Sequence, residues 1–501
     1  MPAQPMIAIP SGFQPNTAGI GRSCGRGTII GNADLNRSVA GDDVKRRDCW
    51  VLSSSAMTPS GTLPAAASRP ERSSLLDHPL GFWFIFWGEF SERCSYYGMR
   101  AILLLYMTER LGFADDLASS VMSYFIAGCY LLPLVGGWLA DNVFGKYWTI
   151  VGFSLPYVLG HVILGFEHPV FLGTALGLLA MGSGVIKPNI STLMGMTYDQ
   201  RRPGQERLRS DAFAMFYAAV NIGAATSSFV MPWIRNHWGY QVAFLFPAAL
   251  MLLAFAIFAS GKPFYAVESV RRVHLTREER WERVRVLGRI LGLFLVVAMF
   301  WSIFDQSAST WTLFARDHLE LTILGIELSP DQIQALNPVL IVVLLPPITL
   351  LWHVLPGWGI RLRPTDKMLV GFLLTGLTMA IMAVAGYLAG PTGRVSILWE
   401  AVSYVLITVA EICISVVGLE LAFTAAPASM KSFVTACWLL TVFLGNMLNA
   451  WVTPLYDRHF ECLDWTLGPG AYFALFAVAM IPVTLAFLVI ARRFNQNAEE
   501  P

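Results

Sequence analysis

From Leu80 onward the chain returns repeatedly to apolar runs of about 20 residues, the length a helix needs to cross the hydrocarbon core of a bilayer. Twelve spans are expected, over 80–107, 118–140, 146–166, 169–188, 211–234, 240–260, 289–312, 333–355, 367–389, 396–422, 432–453 and 471–491. Composition agrees. Only 14% of the 501 residues are charged and 55% are hydrophobic, whereas a soluble domain carries about 25% charged residues. The expectation is an all-α membrane protein whose first partner is the lipid bilayer. A net charge of +1 offers no bulk attraction to nucleic acid.

The longest break between spans, 261–288, divides them six and six. It is polar and basic, with a helix-like stretch from Thr276. The expected organisation is therefore a tail over 1–76, a six-helix half over 77–261, a linker over 262–288, a second half over 289–494 and a short tail over 495–501. Residues 1–76 are rich in Gly, Ser, Pro, Ala and Arg, a disordered composition. A start codon placed upstream of Met57 would account for the first 56 residues equally well.

Lys and Arg remain on the cytoplasmic side of membrane proteins. One set of alternate loops holds Lys146, Arg201, Arg202, Arg207, Arg209, Lys262 and the linker arginines, then Arg361, Arg363, Lys367, Lys431, Arg492 and Arg493. The other set holds Arg110, Arg235, Arg316, Arg394 and Arg458. Both termini and the linker are thus expected in the cytoplasm.

Charge also stands inside the apolar runs. In EFSERCSYYGMR, Glu89, Glu92, Arg93, Tyr96 and Arg100 follow i, i+3, i+4, i+7 and i+11, so one helix face carries them all, with Tyr97 beside it. Other runs contribute Lys187, Asp211, Asn221, Asp305, Asn337 and Glu411. A lone buried Asn is read as an interhelical hydrogen bond. Lys187 and Glu411 need more, because an unpaired charge there is far costlier, and they pair with each other or with a ligand. Intramembrane charges mark pathways, and a carboxylate that alternately gains and loses a cationic partner can bind and release a proton. No nucleophile–base motif, P-loop, HExxH or GxGxxG is present, and the seven cysteines lack metal-ligand spacing. Neither an enzyme nor a cofactor or metal is expected.

Two sixes of spans resemble the major facilitator fold, as does the loop from Gly137 through Asp141 and Gly145 to Lys146. The sequence Glu89-x-x-Glu92-Arg93-Cys94-x-Tyr96-Tyr97-Gly98 is similar to the E-x-x-E-R-F-x-Y-Y-G motif of proton-coupled oligopeptide transporters. GSGVIKPNIS, FAMFYAAVNIGAA, FWSIFDQSASTWT, AEICISVVGLELAF and APASMKSFVTACWLL also match that family's patterns, in order, from about His78 to Phe494. The resemblance implies a bacterial inner-membrane symporter of protons with di- and tripeptides, functional as a monomer.

It implies roles as well. Arg93 and Lys187 would hold the peptide carboxylate, Glu411 its ammonium, and Asn221 and Asn337 the same end or the backbone. Tyr96, Tyr97, Tyr130, Trp301 and Trp438 would wall the side-chain pockets. Glu89, Glu92 and Arg93, with Asp305 and Glu411, would carry proton coupling; Arg100–Asp305 and Lys187–Glu411 would be gating salt bridges. The chain departs from the family at Cys94, at Asp305 where many bacterial members have Glu, and at Ser123, near a functional His of animal members. The two helices that many bacterial members insert between the halves are missing. A relative that moves nitrate, an amino acid or an organic acid is the alternative, and an intramembrane enzyme or receptor a remote one.

Overall fold

The computed structural model describes residues 74–268, 276–323, 325–419, 431–460 and 465–499. Nearly all of the expected tail over 1–76 and the middle of the linker lie outside them. The first group of helices is α1 (Leu80–Leu105), α2 (Asp115–Leu139), α3 (Lys146–Leu164), α4 (Pro169–Arg201) and α5 (Glu206–Ser260). The second is α6 (Arg277–Phe304), α7 (Thr310–His318), α8 (Leu336–Val354), α9 (Pro364–Ala389), α10 (Leu398–Glu411), α11 (Lys431–Val452) and α12 (Pro469–Glu499). Among the described residues, ten helices are long and apolar enough to cross a membrane. The protein is a multi-pass membrane protein. Its outside is apolar at mid-helix, with Leu155, Leu252, Leu373 and Val478 exposed, while Glu89, Arg93, Asp305 and Glu411 are buried. That distribution suits lipid as the solvent.

A straight α5 of 55 residues would measure about 80 Å, far more than a bilayer core of about 30 Å. It bends back at Gly239, whose φ of 81° and ψ of 172° are open to glycine and strained for other residues. The stretch is thus two helices joined at a kink at Gly239.

The helix-like stretch expected from Thr276 and the span that follows it form one helix. Helix α6 starts at a capping box, with Glu279 N donating to Thr276 Oγ1 (3.2 Å) and Thr276 N to Glu279 Oε2 (2.7 Å). It then continues unbroken through residue 289 to Phe304. The break comes at Asp305, where a single-turn 3₁₀ segment (Asp305–Ala308) leads through Ser309 (φ −134°, ψ −93°) into α7. Side chains serve carbonyls of this broken stretch, Ser309 Oγ donating to Gln306 O (3.5 Å) and Thr312 Oγ1 to Ser307 O (3.2 Å).

Helix α1 packs along α5, α3 on α4 and α5, and α2 on α4 and α11. In the second group α9 packs on α10 and α12, and α6 on α11 and α12. Contact between α1 and α5 depends on Gly98, since a Cβ there would stand 2.5 Å from Met231 Cγ and 3.2 Å from Ser227 Cβ. Cys94 fills the step one turn away, its Sγ 3.5 Å from Gly223 O.

At one end of the bundle, short strands tie the loops: β1 (Leu319–Glu320) runs parallel to a strand at Val395–Ser396. At this same end the two helix groups are bonded together. Arg316 Nη2 lies 2.7 Å from Asp115 Oδ2, and Arg235 Nη1 2.5 Å from Asp331 Oδ2. Ser120 donates to Ala450 O (2.9 Å), and Gln334 to Ala101 O (3.3 Å). It is called the clamped end below. At the other end Glu268 accepts from the backbone N–H groups of Lys146 (2.5 Å) and Tyr147 (2.9 Å), and so caps α3.

Candidate functional site

Helical spacing brings Glu89, Glu92, Arg93, Tyr96 and Arg100 to one face of α1, and all five are at least 97% buried. Arg93 Nε lies 3.0 Å from Glu89 Oε1 and also pairs with Glu92. One guanidinium therefore serves two carboxylates, and its plane stands over the Tyr96 ring at 5.8 Å. Buried ions persist only with partners of this kind. Even so, Glu89 Oε2, Glu92 Oε1, Arg93 Nη2 and the Tyr97 hydroxyl have no hydrogen-bond partner.

Two turns along the same face, Arg100 Nη2 reaches Asp305 Oδ1 at 3.3 Å, joining α1 to the break after α6. Asn446 of α11 donates to the other oxygen, Oδ2, at 2.6 Å. Sequence reasoning missed Asn446, although an amide within TVFLGNMLNAW was a visible signal. It missed three further participants: Arg235, read only as a loop charge, its partner Asp331, and Tyr404. Tyr404 lines a polar pocket between the groups, with Tyr97, Arg100 and Ser228 on one side and Ser307, Gln334 and Asn337 on the other.

Lys187 precedes Pro188, which cannot donate to the turn before it. Beside it, the Asn189 amide donates to Val185 O one turn back (2.7 Å) and ties α4 to α2 through Gly136 O (3.1 Å). The half-buried Lys187 donates to Tyr130 Oη at 3.0 Å, and its ammonium lies 4.4 Å from the centre of that ring. Across the interior, Glu411 accepts from Asn337 (3.1 Å), which also donates to Thr408 (3.0 Å). The expected Lys187–Glu411 pair is not formed. In this conformation the groups are bonded at the clamped end, and each charge takes a neutral partner from its own group. Asn221 donates to Tyr217 O (3.0 Å), one turn back on α5. Trp301 and Trp438 are buried with their indole N–H groups unmatched. Glu411 Oε1, Asn221 Oδ1 and Asn337 Oδ1 are unmatched as well. Ser123 bonds only within its helix, to Ser119 O.

Buried polar atoms in folded proteins nearly always have partners. Their concentration here, around a cation on one helix group and an anion on the other, suits a small polar solute with charge at both ends. A multi-pass helical protein with such a site between two helix groups is built as a membrane transporter.

Comparison with known proteins makes this specific. The family model described as POT family matches residues 147–273 and 267–466. The chain belongs to the POT family. The uncharacterized transporter YclF of Bacillus subtilis is 29% identical over 444 residues, 76% of this chain and 89% of that one. Solute carrier family 15 member 1 of Homo sapiens is 31% identical over 374 residues, 62% of this chain and 52% of its own. This chain thus spans about half the length of that animal relative. The POT family transporter PepTSo superposes with a TM-score of 0.76 at 29% identity, covering 84% of this chain and 99% of that one. A peptide transporter POT solved with sulfate gives 0.74 at 27% identity, covering 85% and 96%.

Proposed function

We propose that this chain is a symporter that carries di- and tripeptides into the cell with protons, by alternating access to a site between two six-helix halves. The halves would be 77–261 and 289–494, joined by the linker 262–288 and followed by a tail over 495–501. Twelve spans follow if α1 is added to the ten apolar helices and α5, bent at Gly239, is counted twice. No further pair of helices would then be inserted between the halves. The clamped end would face outward, leaving both termini in the cytoplasm of a bacterium whose inner membrane holds the protein as a monomer.

One observation carries the substrate class. Lys187 and Glu411, a base and an acid, lie in different helix groups and form no ion pair with each other. A peptide's carboxylate and ammonium would complete both. Arg93 would share the carboxylate, and Asn221 and Asn337 have free carbonyl oxygens for N–H donors. Tyr96, Tyr97, Tyr130, Trp301 and Trp438 would wall the side-chain pockets. A single anion such as nitrate would leave Glu411 unmatched.

Proton coupling would rest on Glu89 and Glu92, which compete for Arg93, with Asp305 and Glu411 as the second half's acids. Arg93 freed to hold substrate leaves a carboxylate that is stable only with a proton. Purified protein in liposomes should accumulate dipeptides under an inward proton gradient, with unlabelled tripeptides competing and nitrate not. Uptake indifferent to both gradient and peptides rejects the reading. Glu92→Gln should lose gradient-driven uptake and keep peptide counterflow.

A further inference from the structure

The buried carboxylates described so far each have a partner. Glu89 and Glu92 share Arg93, Asp305 has Arg100 and Asn446, Asp331 has Arg235, and Glu411 has Asn337. Glu400 is different. It is 1% exposed, Oε2 is enclosed without a partner, and among the described residues the side chain makes no hydrogen bond or ion pair.

Its position is informative. Glu400 lies in the first turn of α10, four residues after the strand that pairs with β1, and so at the clamped end. On α10 it shares a face with Tyr404, Thr408 and Glu411, at i+4, i+8 and i+11. Tyr404, the next group on that face, lines the pocket that Tyr97, Arg100 and Ser228 close from the first helix group. Tyr404 also packs edge-on against the buried Trp311 of α7, with ring centres 5.2 Å apart.

Among the described residues, no surrounding group neutralises Glu400. On α10 the neighbour is Tyr404; α9 brings the exposed Tyr387 to this end, and the ionisable side chain of α8, His353, stands in its last turn, at the opposite end. On α7, Arg316 is bonded to Asp115 and Asp317, and His318 faces Gly393 O. Arg394 of the preceding loop is exposed, and Arg100 is bonded to Asp305. An ionised carboxylate enclosed in this way is too costly to persist, so the neutral acid is the form that fits.

We propose that Glu400 is a proton-binding site of the clamped conformation, loaded from the medium on that side as the two helix groups close over it and unloaded to the same side when they part. The proposal rests on the alternating opening described above. The proton goes from bulk water to a Glu400 carboxylate oxygen and back, so it adds nothing to the transported charge. It makes closure itself depend on the pH outside. Closure takes up one proton, so raising the outer pH disfavours the clamped state, by at most about tenfold per pH unit.

The test uses full-length protein in liposomes with the inner pH fixed. Ser228→Cys places a thiol in the pocket wall, and a membrane-impermeant maleimide applied outside reads opening of the clamped end. Labelling is compared with the same reporter carrying Glu400→Gln, which removes the titration and leaves the intrinsic pH trend of the thiol. The expected result is a ratio of labelling rates, the reporter alone over the reporter with Glu400→Gln, that rises up to about tenfold per unit of outer pH. Parallel profiles overturn the proposal. Should the Gln variant fail to reach the membrane, Glu400→Met fills the same space without a titratable group and is read identically. Peptide uptake in the same vesicles is scored separately. Its absence rejects peptide transport, while the labelling ratio still decides the role of Glu400.

Discussion

Arg235 and Asp331 face each other at 2.5 Å, from the bend of α5 to the turn that begins α8, and both are at least nine-tenths buried. Ser329 and Asn236 complete the cluster, with Asn236 Nδ2 donating to Ser329 Oγ at 2.7 Å. Breaking one side of such a pair leaves a buried charge and costs about 3–5 kcal/mol. Arg235→Ala is therefore expected to shift the protein strongly towards opening at the clamped end. Solvent labelling of a cysteine at that end measures it. Arg235→Met with Asp331→Leu, which removes both charges, should recover most of the closure, and equal opening in single and double variants would refute this.

Glu411 offers a carboxylate held by Asn337, whose amide also reaches Thr408. If it receives a substrate ammonium, Glu411→Ala removes a charge-assisted hydrogen bond worth about 1.5–3 kcal/mol, or about 10–150-fold in affinity. Peptides should weaken by that factor, and N-acetylated peptides far less. Competition against a labelled dipeptide separates the two, and matching losses would exclude the contact.

Gly98→Ala inserts a methyl group 2.5 Å from Met231 Cγ. Overpacking of this kind costs about 1–3 kcal/mol. The melting temperature of detergent-purified protein should fall, and Met231→Ala added to the variant should restore part of it. An unchanged melting temperature would mean that α1 and α5 separate freely.

Glu279, outside the membrane, has its carboxylate held below the ordinary range by the backbone N–H and hydroxyl of Thr276. A depressed folded value stabilises the start of α6 above the ordinary glutamate pKa and is lost as pH falls through the depressed one. Amide exchange over 277–281 should therefore speed up on acidification relative to Glu279→Gln, which removes the titrating carboxylate. Identical pH trends in the two proteins would count against the cap.

The charged face of α1 was legible because helix periodicity alone fixes which side chains share a face, and Arg93 does lie between Glu89 and Glu92. Arg100 and Asp305 also meet, as the motif resemblance implied. Contacts between distant segments were less legible. Arg235 counted as an ordinary loop charge because nothing local links it to Asp331, 96 residues away. Nor did Asn446 or Glu400 stand out, since hydrogen-bond partnership and enclosure come from how segments distant in sequence pack together. The continuity of helix across residue 288 was hidden for another reason. Hydropathy changes there, but backbone hydrogen bonding does not.

That unbroken helix has a mechanical consequence. From Asp305 back to the exposed Trp281 it is a single rod of 24 residues, about 36 Å long at 1.5 Å per residue. A tilt of about 10° pivoting at the Asp305 break would sweep Trp281 through about 6 Å, turning a small rearrangement beside a buried carboxylate into a displacement readable by fluorescence outside the bilayer.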